Sequence, residues 1–141
     1  MLIRPMTATD LPALRLLYLR ARQISWPWLQ DSSWTLDDFD HVTRDERVWV
    51  AQSEAQCVGF ASVWEPDNFL HSLFVDPDCQ GKGVGSALLQ HVHTTFSDTG
   101  SLKCLVKNEK ALGFYHRHGW QSISQGTSAE GDYWLMHYPR R

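Results

Sequence analysis

The sequence predicts an α/β fold, and three observations carry that expectation. A mostly apolar strand near residues 69–75 runs into a turn with glycines at 81, 83 and 85, and that turn opens an amphipathic helix. Extended and helical patterns follow one another along the chain in the order β-α-α-β-β-β-α-β-α-β-β. The chain has 141 residues, 43% hydrophobic and 21% charged, the size and balance of an ordinary soluble globular protein with one core. The expectation is therefore a single domain over residues 1–141.

Taken in order, Leu2 to Pro5 is a short strand. Thr9 or Asp10 can cap a helix whose apolar face is Leu11, Leu14, Leu17, Tyr18 and Ala21, with Pro12 in the first turn, where its missing N–H costs little. An irregular aromatic stretch follows, Trp26-Pro27-Trp28 to Trp34. Thr35-Leu36-Asp37-Asp38 approximates a capping box for a short second helix reaching about Asp45. Val48 to Ala51 and Cys57 to Trp64 read as strands joined by a polar turn, and Phe69 to Val75 as a central strand. The helix after the glycines turns Val84, Leu88, Leu89, Val92 and Phe96 inward, and Gly100 is expected to stop it. Leu102 to Val106 is another strand. Asn108 caps a helix to His118, Gly119 ends it, and Trp120 to Ser124 with Tyr133 to Tyr138 forms an antiparallel pair.

Composition narrows the function. A net charge of −3 gives no general attraction to nucleic acid. No apolar run approaches the ~20 residues of a membrane span, and the start of the chain lacks a signal-peptide pattern. Cys57, Cys79 and Cys104 are odd in number and without C-x-x-C spacing, which fits a reducing cytoplasm better than disulfides or zinc. The histidines have no metal-ligand arrangement, so no metal is expected.

The turn from Val75 to Ser86 can approach a ligand closely, and a helix N-terminus favours an anion, so the stretch suits a phosphate or pyrophosphate; an ordinary tight turn is the competing reading. Walker A does not fit, because Lys82 is followed by Gly83. The Rossmann spacing does not fit either, because Gly85 arrives one residue early. What fits is Gln80-x-x-Gly83-x-Gly85. With the element order, and with Ala111-Leu112-Gly113-Phe114-Tyr115-His116-Arg117-His118-Gly119, the chain resembles the GCN5-related N-acetyltransferases (GNAT) over about Leu2 to Tyr138.

The resemblance implies a mixed, mostly antiparallel sheet of six or seven strands with helices on both faces, and acetyl-CoA as acetyl donor. It places the pyrophosphate on backbone N–H groups of Gln80, Gly81, Lys82, Gly83, Val84, Gly85 and Ser86. The pantetheine arm falls along the backbone of Leu73, Phe74 and Val75, one N–H of which polarises the thioester. Asn108 either bonds that arm or caps its helix, or does both. Tyr115 is the general acid, or else a packing aromatic; a phenol with an ordinary pKa near ~10 is protonated at neutral pH. His71 is a candidate base for the amine's proton, on a strand face shared with Leu73 and Val75 by alternation. Glu65, or a water chain, is the alternative. Cys79 reads as a turn residue.

In the resemblance the acceptor site is built from the first helices, their connection and the last hairpin, which here hold Trp26, Trp28, Trp34 and, on the hairpin, Tyr133 and Trp134. Aromatic walls suit an aryl or alkyl amine, and Asp31, Asp37 and Asp38 could attract its ammonium. The expectation is an N-acetyltransferase acting by direct attack in a ternary complex on a small primary amine. The alternatives are a protein N-terminus or lysine as acceptor, a non-catalytic acyl-CoA sensor, and an interaction module. A homodimer is compatible with the sequence.

Overall fold

The computed structural model describes residues 1–29 and 33–139. Seven strands, β1 (Leu2–Pro5), β2 (Arg47–Ser53), β3 (Gln56–Trp64), β4 (Phe69–Val75), β5 (Gly100–Leu105), β6 (Gln121–Ser128) and β7 (Gly131–Tyr138), make one sheet in the order β1-β2-β3-β4-β5-β7-β6. Every neighbouring pair is antiparallel except β4 and β5. The expected central strand is β4, which sits in the middle of that order.

Helices cover both faces because the strands present apolar side chains to both. Leu14, Leu17, Tyr18 and Ala21 of α1 (Leu11–Ser25) and Phe39 of α2 (Asp38–Val42) close over Val48, Val50 and Phe60. On the other face Val84, Leu88, Leu89 and Val92 of α3 (Val84–Thr95) bury against Ala61, Val63, Leu70, Leu102 and Met136, with α4 (Glu109–Arg117) beside them. A β-carbon on Gly59 would lie 3.0 Å from both the Phe74 carbonyl oxygen and Val84, so this glycine lets α3 lie close on the sheet.

Two local expectations change. Neither Thr9 nor Asp10 caps α1 with its side chain; a single 3₁₀ turn, Ala8–Asp10, precedes the helix. Buried Asp10 instead accepts the Thr7 N–H at 2.8 Å and the Arg4 guanidinium through both oxygens, each at 2.8 Å. Bonding to Arg4 holds its carboxyl well below the usual range despite burial. Gly100 does not stop α3, which ends at Thr95, but opens β5, and the ring of Phe96 occupies the place a β-carbon would take.

Behind α4, Trp120 is buried and its Nε1–H donates to His93 Nε2 at 3.0 Å, while the His93 ring stacks on Tyr138 at 3.7 Å. Burial, then the nearby His118, lowers the His93 pKa to about 4. The unfolded chain, with a histidine near ~6.5, takes up a proton that the folded chain refuses. Stability should therefore fall as pH drops from about 6.5 toward 4, with no contribution from this group above that window. Urea midpoints measured across the window should fall more steeply for the native protein than for His93→Gln. A constant difference between the two would remove His93 from the acid sensitivity.

Candidate active site

A cleft of about 1080 Å³ opens where β4 and β5 part. The antiparallel ladder of β4 with β3 runs from Trp64 opposite Phe69 to Gly59 opposite Val75, but the parallel ladder with β5 holds at Phe69 opposite Ser101. Past that point the backbone edge of β4 faces the cleft, and an edge with free N–H and C=O groups can accept an extended ligand as an added strand. The side chains of Leu73 and Val75 pack against the α3 core and that of Phe74 against the α1 core, and all three residues line the cleft.

At the end of β4 the chain is pinned before it turns. The Asp76 N–H donates to the Val58 carbonyl at 2.8 Å, its carboxylate accepts the Asp78 N–H at 2.9 Å, and Arg20 of α1 reaches Asp78 at 3.4 Å. Gly81 and Gly83 then take φ of 79° and 80°, a left-handed conformation that glycine adopts without strain. The first bond of α3 runs from the Ala87 N–H to the Gly83 carbonyl at 3.0 Å. The N–H groups of Gly83, Val84, Gly85 and Ser86 thus have no acceptor within the helix and lie at the positive end of its dipole.

Around them, Gln80 accepts a hydrogen bond from Lys110 of α4 at 3.2 Å. His118 Nδ1–H donates to the Phe114 carbonyl at 2.9 Å, so its Nε2 accepts from the Ser86 hydroxyl at 3.1 Å. Gln80, Gly81, Gly83, Val84, Gly85 and Ser86 all line the cleft, whereas Lys82 stands exposed outside its lining.

Tyr115 and Cys104 meet in the same wall. Burial pushes the Tyr115 phenol above its ordinary range, with Cys104 adding to it, and burial pushes the Cys104 thiol up to about 12. Both groups are therefore uncharged at neutral pH, and the phenol is a proton donor. The Asn108 side-chain oxygen Oδ1 accepts the Ala111 N–H at 3.3 Å and caps α4, and Asn108 also lines the cleft.

His71 lines the cleft as well, but not on the face expected for it. Ser62 pairs with Ser72 while Val63 pairs with Leu70, which leaves His71 as the extra residue of a β-bulge. The bulge breaks the alternation with Leu73 and Val75. His71 turns instead toward Glu46, with Nδ1 2.8 Å from Oε2. The other oxygen of Glu46 accepts the hydroxyl of Ser62, which is fully buried. Glu65, the alternative base, is exposed, pairs with Arg47 at 3.8 Å and is not part of the cleft lining.

Trp26, Trp28 and Trp34 line the cleft; Trp26 meets Phe74 edge-on at 5.7 Å and Trp34 at 6.3 Å. Trp134 does not join them. It shares the inward face of β7 with Met136 and packs on the core, and the cleft takes its neighbour Tyr133. Asp38 is occupied by Arg22 at 2.9 Å, and that buried guanidinium lies over the rings of Tyr18 at 4.0 Å and Trp34 at 4.7 Å. Asp31 lies outside the described residues.

A sheet opened between two parallel strands beside a helix N-terminus is the architecture of N-acetyltransferases. The fold matches the apo form of YjaB from Escherichia coli with a TM-score of 0.78 at 23% identity, covering 97% of this chain and 96% of that one. It matches the PaiA N-acetyltransferase of Thermoplasma acidophilum, solved in complex with coenzyme A, with a TM-score of 0.80 at 16% identity over 99% and 98% of the two chains. Residues 44–122, over half of the chain, match the Acetyltransferase (GNAT) domain, and the chain belongs to that family of N-acetyltransferases. Among named relatives, the peptidyl-lysine N-acetyltransferase YiaC of Escherichia coli K12 is 28% identical over 98% of this chain and 97% of its own.

Proposed function

We propose that the protein transfers an acetyl group from acetyl-CoA to a primary amine by direct attack in a ternary complex. The observation that carries this is the open β4 edge running into a helix N-terminus, with a protonated phenol in the same cleft. Backbone N–H groups from Gln80 to Ser86 hold the pyrophosphate. The Leu73–Val75 backbone takes the pantetheine arm, and one of its N–H groups draws electron density from the thioester carbonyl. Acetyl-CoA supplies an acyl carbon already activated by sulfur. His71 removes the ammonium proton, directly or through water. The neutral amine then forms the C–N bond as the C–S bond breaks, and Tyr115 gives its proton to the sulfur. The second proton, shed by the new amide nitrogen, restores the phenol through water.

Two acceptors fit an aromatic cleft. The three tryptophans suit an aryl or alkyl amine, and the relative named for peptidyl-lysine supports a lysine side chain, whose aliphatic stem suits the same walls.

Calorimetry with acetyl-CoA, followed by thiol release against arylalkylamines, lysine peptides and N-terminal peptides, tests the proposal. Binding with release is expected for at least one class. Binding without release from any would make the protein an acyl-CoA sensor, and no binding would overturn the assignment of the turn.

A further inference from the structure

We infer that Glu46 is a positioning residue that fixes the tautomer of His71 and so aims Nε2 into the cleft as the proton acceptor; this rests on the role given to His71 above. The Glu46 side chain is 8% exposed and both of its oxygens are engaged. An ionised carboxylate only accepts hydrogen bonds, so the proton of neutral His71 must sit on Nδ1, and Nε2 on the far side of the ring carries the lone pair. Nε2 has no hydrogen-bond partner among the described residues, and His71 is a lining residue of the cleft.

The backbone supports this arrangement from both sides. On β4 the bulge swings His71 off the face of Leu73. Opposite, the chain leaving α2 is turned sharply: the Thr43 hydroxyl donates to the Phe39 carbonyl at 2.8 Å, Asp45 adopts φ 63°, and the Glu46 N–H donates to the Thr43 carbonyl at 2.9 Å. The Ser62 hydroxyl then fixes the carboxylate's rotation. The other charges at this corner are Arg44 and Asp45, both exposed, and Arg47, which pairs with Glu65. The nearest cation in sequence is thereby drawn away, which leaves Glu46 to the imidazole.

The test begins with the unaltered protein. Nitrogen-15 spectra of the histidine rings, taken where His71 is neutral and assigned with His71→Gln, should show the Nδ1–H tautomer. In Glu46→Gln the amide can keep the Ser62 hydroxyl on its oxygen and donate to Nδ1, which forces the Nε2–H form. That variant should lose turnover by tens of fold, less than the ~10²–10⁴ that a full general base supplies, with acetyl-CoA affinity unchanged. Glu46→Asp should recover part of the loss.

An Nε2–H tautomer in the unaltered protein would overturn the inference. So would a tautomer switch in Glu46→Gln with turnover intact. The spectra need no acceptor, so an enzyme silent toward every amine would defeat the proposed function while the spectra still decided the role of Glu46.

Discussion

Tyr115→Phe is expected to lower turnover about 10³-fold, inside the ~10²–10⁴ range of general acid catalysis, and to leave acetyl-CoA affinity nearly unchanged. The substitution removes one oxygen and little else. The ring keeps its edge-on contacts with Phe114 at 5.4 Å and Trp120 at 6.0 Å, so the packing of α4 on the sheet survives. What disappears is the proton for the departing sulfur. Because burial raises the phenol above its ordinary pKa, the native enzyme should keep this donor through neutral and mildly alkaline pH. Its rate should therefore show no alkaline fall attributable to Tyr115 below about pH 10. Steady-state kinetics with a saturating acceptor, paired with calorimetry, separate the two parameters. Native turnover in Tyr115→Phe would reduce Tyr115 to a wall of the cleft.

Much of this layout was legible in the chain because burial on one or both faces writes itself into periodicity. The two-sided apolar run of β4 marked the middle of the sheet, and the inward stripe of α3 fell where Val84, Leu88, Leu89 and Val92 are buried. Faces were harder. Alternation assigned His71 to the side of Leu73, and a single extra residue in the ladder reversed it; nothing in the sequence of β4 announces a bulge. Tyr133 and Trp134 are adjacent aromatics, so composition could not say which faces the cleft, and the register opposite β5 decides for Tyr133.

Glu46 was missed for a different reason. It sits in Arg44-Asp45-Glu46-Arg47, a charge run of the kind that usually marks a solvated loop, and its burial depends on a hydroxyl from β3 that is distant in sequence. Arg22 had a readable signal. It lies four residues after Tyr18 on the buried stripe of α1, the spacing at which a guanidinium can lie over a ring. Lys110 also carried a hint, one helical turn before Phe114 on a helix facing the glycine turn, but its contact with Gln80 is purely tertiary.

Gly83→Val is the substitution expected to cost the most binding. A β-carbon at position 83 would meet nothing within 4 Å, so crowding is not the cause. The cause is the backbone, since φ of 80° is strained for any L-residue and most of all for a β-branched one. The turn should relax toward negative φ, and the N–H groups of Gly83 to Ser86 would then no longer converge on one anion. Losing two charge-assisted hydrogen bonds at ~1.5–3 kcal/mol each amounts to roughly 3–6 kcal/mol, a fall of about 10²- to 10⁴-fold in acetyl-CoA affinity. The stability loss should be smaller, about 1–3 kcal/mol for one strained residue, because the core contacts of α3 begin at Val84 and continue inward. Calorimetry and a urea melt on the same preparation distinguish the two effects. Unchanged affinity in a folded variant would mean that the turn shapes the start of α3 and leaves phosphate binding to other groups.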